Sequence, residues 1–179
     1  MILFTSGFPY AGKTEFAKRL CQRLDQQHLI HINPKDLYPE DFDALSEEEQ
    51  QAIGIVAWEM AFEKTDKCIV KLPNKVLIIL DTCCSSAYQM TQLFMDAKVR
   101  EHDIYLVYVN ASLEKRTELA ADKNISKFEG KYASNFQQSL PELKHMSDYF
   151  LIINNNGSLS ELDENILPLA ATIIESRKN

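Results

Sequence analysis

The sequence predicts an α/β fold, a parallel β-sheet covered by helices on both faces. Three observations predict it. Five short apolar runs, ILF at 2–4, LIHI at 29–32, VLIIL at 76–80, IYLVYV at 104–109 and YFLII at 149–153, alternate with helical stretches. Their apolar character is continuous rather than alternating, which marks strands buried on both faces. The chain has 179 residues, 45% hydrophobic and 25% charged, enough for one substantial core. No internal repeat, low-complexity tract or Pro/Gly-rich linker divides it, so residues 1–179 are expected to form a single domain.

The elements follow in order. ILF runs into a glycine-containing loop and then a helix with the apolar stripe Phe16, Ala17, Leu20 and Leu24. LIHI is stopped by Pro34, which has no N–H to give to a ladder. Ser46 with Glu47, Glu48 and Glu49 makes a capping box that opens a long helix toward residue 71. A helix over 86–101 follows the third strand, and a last helix runs from about Ser160.

No apolar run approaches the roughly eighteen residues of a membrane span, and MILFTSG lacks the basic start and cleavage site of a secretory signal, so a cytoplasmic protein is expected. Cys21, Cys68, Cys83 and Cys84 form no C-x-x-C pair and no zinc spacing with His, so buried free thiols are expected. The vicinal Cys83 and Cys84 raise a redox switch as the alternative. A net charge of −7 argues against the electrostatic footprint of a duplex nucleic-acid binder.

GFPYAGKT at 7–14 is glycine, four residues, then glycine, lysine and threonine, placed between a strand and a helix as a phosphate loop requires. Gly7 and Gly12 let backbone N–H groups turn inward, Lys13 offers an ammonium to β and γ oxygens, and Thr14 offers a hydroxyl to Mg²⁺. The helix N-terminus adds partial positive charge. The nucleotide-binding set is therefore Gly7, Tyr10, Ala11, Gly12, Lys13, Thr14 and Glu15. KVLIILDT at 75–82 is a buried strand ending in Asp81, where a second, acidic contact to the metal is needed; capping of the next helix is its structural alternative. The guanine-reading N-K-x-D motif is absent, and NNN at 154–156 does not replace it. A compact phosphotransferase is the class that remains.

HINPKDLYPEDF at 31–42 places Asp36 just after the second strand, facing the same crevice as Lys13. A hydroxyl acceptor needs a carboxylate to orient it and take its proton, and Asp36 is the candidate base, with Asp41 and Asp43 as competitors and a solvated loop acid as the bland alternative. From Asp36 to Glu63 the chain carries nine acids and no Lys or Arg, which disfavours a polyanionic acceptor, although the helix dipole accounts for some of them. Arg116, Lys123, Lys127 and Lys131 would share one face of a continuous helix, as a cationic lid or as a solvated charged face. Tyr88 and Trp58 are candidates for an acceptor pocket or for the core.

With these residues in place, the chain resembles the P-loop kinases of the nucleoside-monophosphate-kinase type, and within them the zeta-toxin, chloramphenicol phosphotransferase and polynucleotide-kinase-like group. GFPYAGKT, INPKD, LIILDTCCSS and NASLEKR carry the resemblance, and DYFLIINNNGSLSEL looks like the last strand and helix, where an Asn-Gly turn lies near the adenine. The resemblance implies a P-loop NTPase three-layer αβα sandwich, a five-stranded parallel sheet in the order 2-3-1-4-5, and a helical lid over about 114–140. It also implies ATP and Mg²⁺ as cofactors and phosphorylation of a hydroxyl on a small molecule. Lys13 and Thr14 would then hold phosphates and metal, Asp36 would be the base, Asp81 would support Mg²⁺, and Arg116 would face the moving phosphoryl group. A polynucleotide 5′-hydroxyl kinase and a non-catalytic nucleotide-binding module are the alternatives. Two features depart from the family pattern: Phe8, Pro9 and Tyr10 replace small residues in the loop, and the lid offers lysines where a second Arg is usual.

Overall fold

In the computed structural model of the chain the described residues are 1–81, 87–120, 125 and 138–177. Five parallel strands, β1 (Ile2–Ser6), β2 (Leu29–Ile32), β3 (Leu77–Asp81), β4 (Ile104–Asn110) and β5 (Tyr149–Asn154), form one sheet in the order β2-β3-β1-β4-β5. The connecting helices are α1 (Lys13–Arg23), α2 (Glu47–Lys71), α3 (Ala87–Val99), α4 (Leu113–Ala120), helical residues 138–146 (α5) and α6 (Leu159–Ser176). Fold class and strand order are those expected.

β1 and β3 are buried at every residue, which is why their sequences read as unbroken apolar runs. Alternate residues serve opposite layers. Leu3, Ile79, Tyr105 and Val107 pack against Phe16 and Leu20 of α1 and Leu162 and Ile166 of α6. Ile2, Phe4, Ile78 and Leu80 pack against Phe62 of α2, Phe94 of α3 and Leu143 of α5. On the first face Asp163 ties α6 to α1, accepting from Arg19 Nη1 and Arg23 Nη2, each at 2.8 Å. Those guanidiniums, Arg23 foremost, hold its carboxyl below the usual range.

Every strand outlasts its apolar run by one or two residues at the carboxyl end, except β2. The added residues are Thr5, Ser6, Asp81, Asn110 and Asn154, polar groups at the rim where ligands of open α/β sheets bind. Hydrophobic periodicity is blind to them, while the backbone ladder continues through them. Leu24 also departs from expectation: α1 ends at Arg23, and Leu24 is its buried extended cap. The helix expected over 86–101 ends at Val99, because His102 N–H reaches Ala97 O and Glu101 N–H reaches Lys98 O, with Glu101 left-handed at φ 58°. This is a Schellman closure with glutamate in glycine's usual place, which hid it from sequence reading. The Ser46–Glu49 capping box forms as read, and Ser158 with Glu161 makes a second one on α6.

His102 is buried, its Nε2 3.1 Å from Ile69 O and its Nδ1 3.2 Å from the Met1 amino group. Burial, reinforced by that amino group, holds the imidazole below its ordinary value of 6.5. The unfolded chain therefore takes up the proton first as pH falls, and stability drops from just above 6.5 downward. His102→Gln is expected to show a smaller loss of urea-melt stability between about pH 7.5 and about pH 5.5 than the unsubstituted chain. An equal loss in both would show that His102 does not contribute to this slope.

No helix among the described residues is long and apolar enough to cross a membrane.

Candidate functional site

Because the sheet is parallel, all five strands deliver their carboxyl ends to one edge, and the expected site residues in the phosphate loop, Asp36 and Asp81 are connected to that edge. The loop after β1 turns tightly there, with Ala11 N–H bonded to Phe8 O at 3.2 Å. Gly7 has φ +135° and a Cβ on it would stand 2.3 Å from Val109 O, so both backbone shape and space demand glycine. Gly12, at φ +88°, opens α1. Tyr10 is left-handed too, at φ 61°, a conformation costing a non-glycine residue about 1–3 kcal/mol.

Lys13 bends back over the loop, its Nζ donating to Gly7 O at 3.1 Å and Phe8 O at 2.7 Å. The ammonium thus lies over the loop rather than extending into solvent. Thr14 is half-buried in the first turn of α1. Glu15 turns its carboxylate to Arg19, so its expected contact with a nucleotide falls to its backbone N–H.

Asp81 is 4% exposed and pairs across the ladder with Thr5. Thr5 Oγ1 donates to its Oδ1 at 3.1 Å, while Oδ2 is buried with no hydrogen-bond partner among the described residues. A carboxylate oxygen held dry and unpartnered fits a hard cation, which supplies the compensation that burial otherwise denies it. Among the described residues no three His, Cys, Asp or Glu side chains converge on a preformed metal cage. Mg²⁺ bound through one or two protein oxygens, waters and phosphates needs none.

Asp36 lies in a 3-10 turn, Pro34–Leu37, capped by Asn33, whose Oδ1 accepts from Lys35 N–H at 3.0 Å and whose carbonyl accepts from Asp36 N–H at 3.0 Å. Its side chain is exposed at the sheet's carboxyl edge. Asp41 and Asp43 lie farther on, flanking Phe42, whose ring stacks on Tyr38 at 4.0 Å. Beside this turn, Leu37 and Ala52, Ile53, Val56, Ala57 and Met60 of α2 line an open apolar groove of about 270 Å³. Trp58 is not among them; it packs toward the core beside Phe62.

Arg116 is 6% exposed on α4, its guanidinium carbon 4.7 Å from the centre of the Phe8 ring. A desolvated contact of this kind is worth about 2 kcal/mol. The aromatic residue that departs from the family pattern is thus the platform that brings Arg116 to the phosphate loop. Lys123, Lys127, Lys131, Cys83, Cys84 and the Tyr88 side chain lie outside the described residues, and with them most of the expected lid. Of the other thiols, Cys21 and Cys68 are half-buried, and burial pushes the Cys21 thiol up to about 11.

Sequence reading missed Asn155, which is buried and donates from Nδ2 to Ala11 O at 3.0 Å. The sequence reading rejects NNN as a guanine motif and places it in the strand end and turn near the adenine, but gives Asn155 no role at the phosphate loop. The available signal was three polar residues running on from an apolar strand toward the crevice.

No family model and no curated protein matches this sequence, so its likeness lies in structure. Kti12 of Chaetomium thermophilum, solved with ADP-AlF3, superposes with a TM-score of 0.57 at 16% identity, over 97% of this chain and 99% of that one. Shikimate kinase of Acinetobacter baumannii with shikimate gives 0.59 at 15%, over 96% and 93%. Shikimate kinase of Bacteroides thetaiotaomicron gives 0.59 at 13%, over 97% and 98%. The fold is that of the P-loop kinases. These neighbours do not single out the zeta-toxin group within it.

Proposed function

We propose that the protein is an ATP-dependent phosphotransferase that moves the γ-phosphoryl group to a hydroxyl of a small molecule, nearest in type to the zeta-toxin and chloramphenicol phosphotransferase group. The observation that carries this reading is Asp81 Oδ2, buried and unpartnered among the described residues, on the strand paired to the one that feeds the phosphate loop. A lone phosphate-holding loop needs no such carboxylate, whereas a loop that handles a metal-bound triphosphate does.

The roles divide as follows. Gly7, Tyr10, Ala11, Gly12, Lys13, Thr14 and Glu15 cradle the phosphates. Thr14 and Asp81 hold Mg²⁺, which when bound neutralises charge on the β and γ oxygens. Asp36 orients the acceptor hydroxyl and takes its proton, and Arg116, held on Phe8, faces the phosphoryl group with a planar fork suited to its oxygens. The groove beside Leu37 receives the apolar body of the acceptor. The acidic run from Asp36 to Glu63 favours a neutral or cationic compound over a nucleic acid. On this reading the unit is taken as a single domain, and a cytoplasmic location fits its demand for ATP.

ADP release from MgATP, measured with and without pooled hydroxyl metabolites, aminoglycosides, nucleosides and short oligonucleotides, tests the proposal. Release that rises only with a small-molecule pool is expected. Release driven by oligonucleotides would make it a polynucleotide 5′-hydroxyl kinase, and ATP binding with no acceptor-driven release would make it a nucleotide-binding module.

A further inference from the structure

We infer that Asn155 is a positioning residue for the phosphate loop, holding the Ala11–Gly12 peptide in the orientation that cradles an anion. The inference rests on the reading of residues 7–14 as a phosphate loop and adds the group that sets its shape. Asn155 stands just past β5, the edge strand separated from β1 by β4, yet its side chain is 6% exposed. Its Nδ2 donates to Ala11 O at 3.0 Å, and its own backbone N–H donates to Asn110 O at 2.8 Å.

A peptide unit is planar and trans, so its C=O and its N–H point in opposite directions. Fixing Ala11 O toward Asn155 therefore turns the Gly12 N–H to the opposite side, into the cradle. The approach is close: a Cβ on residue 12 would stand 2.2 Å from Asn155 Nδ2. Val109 O presses on Gly7 at the loop's other end, so both ends of the loop are set from the β4–β5 side of the sheet.

The side-chain bonds of the other asparagines here involve the neighbours of Asn155 and not its own side chain. Asn110 Nδ2 donates to Asn154 Oδ1 at 3.1 Å, Asn165 Nδ2 donates to Asn154 O at 3.0 Å, and Asn156 Oδ1 accepts from Ser112 N–H at 2.6 Å. The last bond joins the same turn to the entrance of α4, which carries Arg116. Donor identity, and not mere bulk, is what Asn155 contributes, and this makes the idea testable apart from packing.

The test is calorimetric titration of the full chain with MgATP and with inorganic tripolyphosphate, which has no base. Asn155→Asp and Asn155→Ala are expected to weaken tripolyphosphate about tenfold near neutral pH, the loss of one well-made bond to the loop. For Asn155→Asp the deficit relative to wild type at the same pH should shrink toward about pH 5, where a protonated carboxyl can donate to Ala11 O again. Asn155→Ala should show no such recovery, and Asn165→Ala should stay within about twofold of wild type, since its bond goes to Asn154 and not to the loop.

Folded Asn155 variants that bind tripolyphosphate like wild type would overturn the inference alone. Wild type that binds neither probe would remove the phosphate-loop reading and the inference with it. Should both variants fail to fold, the wild type still decides: the Asn155 side-chain amide resonance is expected to shift on saturation with tripolyphosphate, and an unmoved resonance counts against the inference.

Discussion

Lys13→Ala is expected to lower turnover of ATP by about 10²–10³-fold, the loss found when one preorganised charge-stabilising donor is removed from a transition state. The ammonium bonds Gly7 O and Phe8 O, two carbonyls of the loop it serves. Exchanging those carbonyls for phosphate oxygens trades neutral acceptors for charged ones, so the interaction gains as negative charge gathers on the transferring group. The side chain is half-buried at the mouth of the loop and not in either hydrophobic layer, so the melting temperature should stay close to wild type. ADP release and a thermal melt on one preparation check both halves. Turnover that survives the substitution would move the phosphate-stabilising role elsewhere, with Arg116 the first place to look.

Asp36→Asn should separate binding from transfer. Asparagine keeps the shape of the side chain and leaves the turn intact, because that turn is closed by Asn33 and by the Asp36 backbone N–H, not by the Asp36 carboxylate. ATP affinity is expected within about twofold of wild type, while acceptor-dependent transfer falls by about 10²–10⁴-fold, the usual contribution of a positioned general base. Calorimetry and labelled transfer read the two quantities independently. Normal transfer in this variant would reassign the base, with Asp41 and Asp43 next in line.

The sequence made the scaffold legible because its signals are local. Unbroken apolar runs located five strands, the Ser46–Glu49 spacing located the start of α2, and the phosphate loop announced itself by the spacing of eight consecutive positions, 7–14. What stayed hidden depends on contacts made across the fold. Asn155 and Ala11 are 144 residues apart in the chain and meet only because β5 ends beside the loop. Phe8 looked like a flaw in a loop that favours small residues until Arg116 was found against its ring. Asp81 was expected from its place at a strand end, but its one satisfied and one unsatisfied oxygen follow from Thr5 on the neighbouring strand. Pairings of this kind leave no periodicity behind them.

The Asp163 tie between α1 and α6 has a consequence for the order of assembly. The helix that begins in the phosphate loop is buttressed through Arg19, Arg23 and Asp163 by one made much later, Asp163 lying 144 residues after Arg19, and the loop itself by Asn155. During synthesis the ribosome releases the GFPYAGKT segment long before either support exists. A nascent chain therefore carries the whole loop sequence before these contacts can form, and the loop takes its final shape only once β5 and α6 have followed it out of the exit tunnel and closed onto α1.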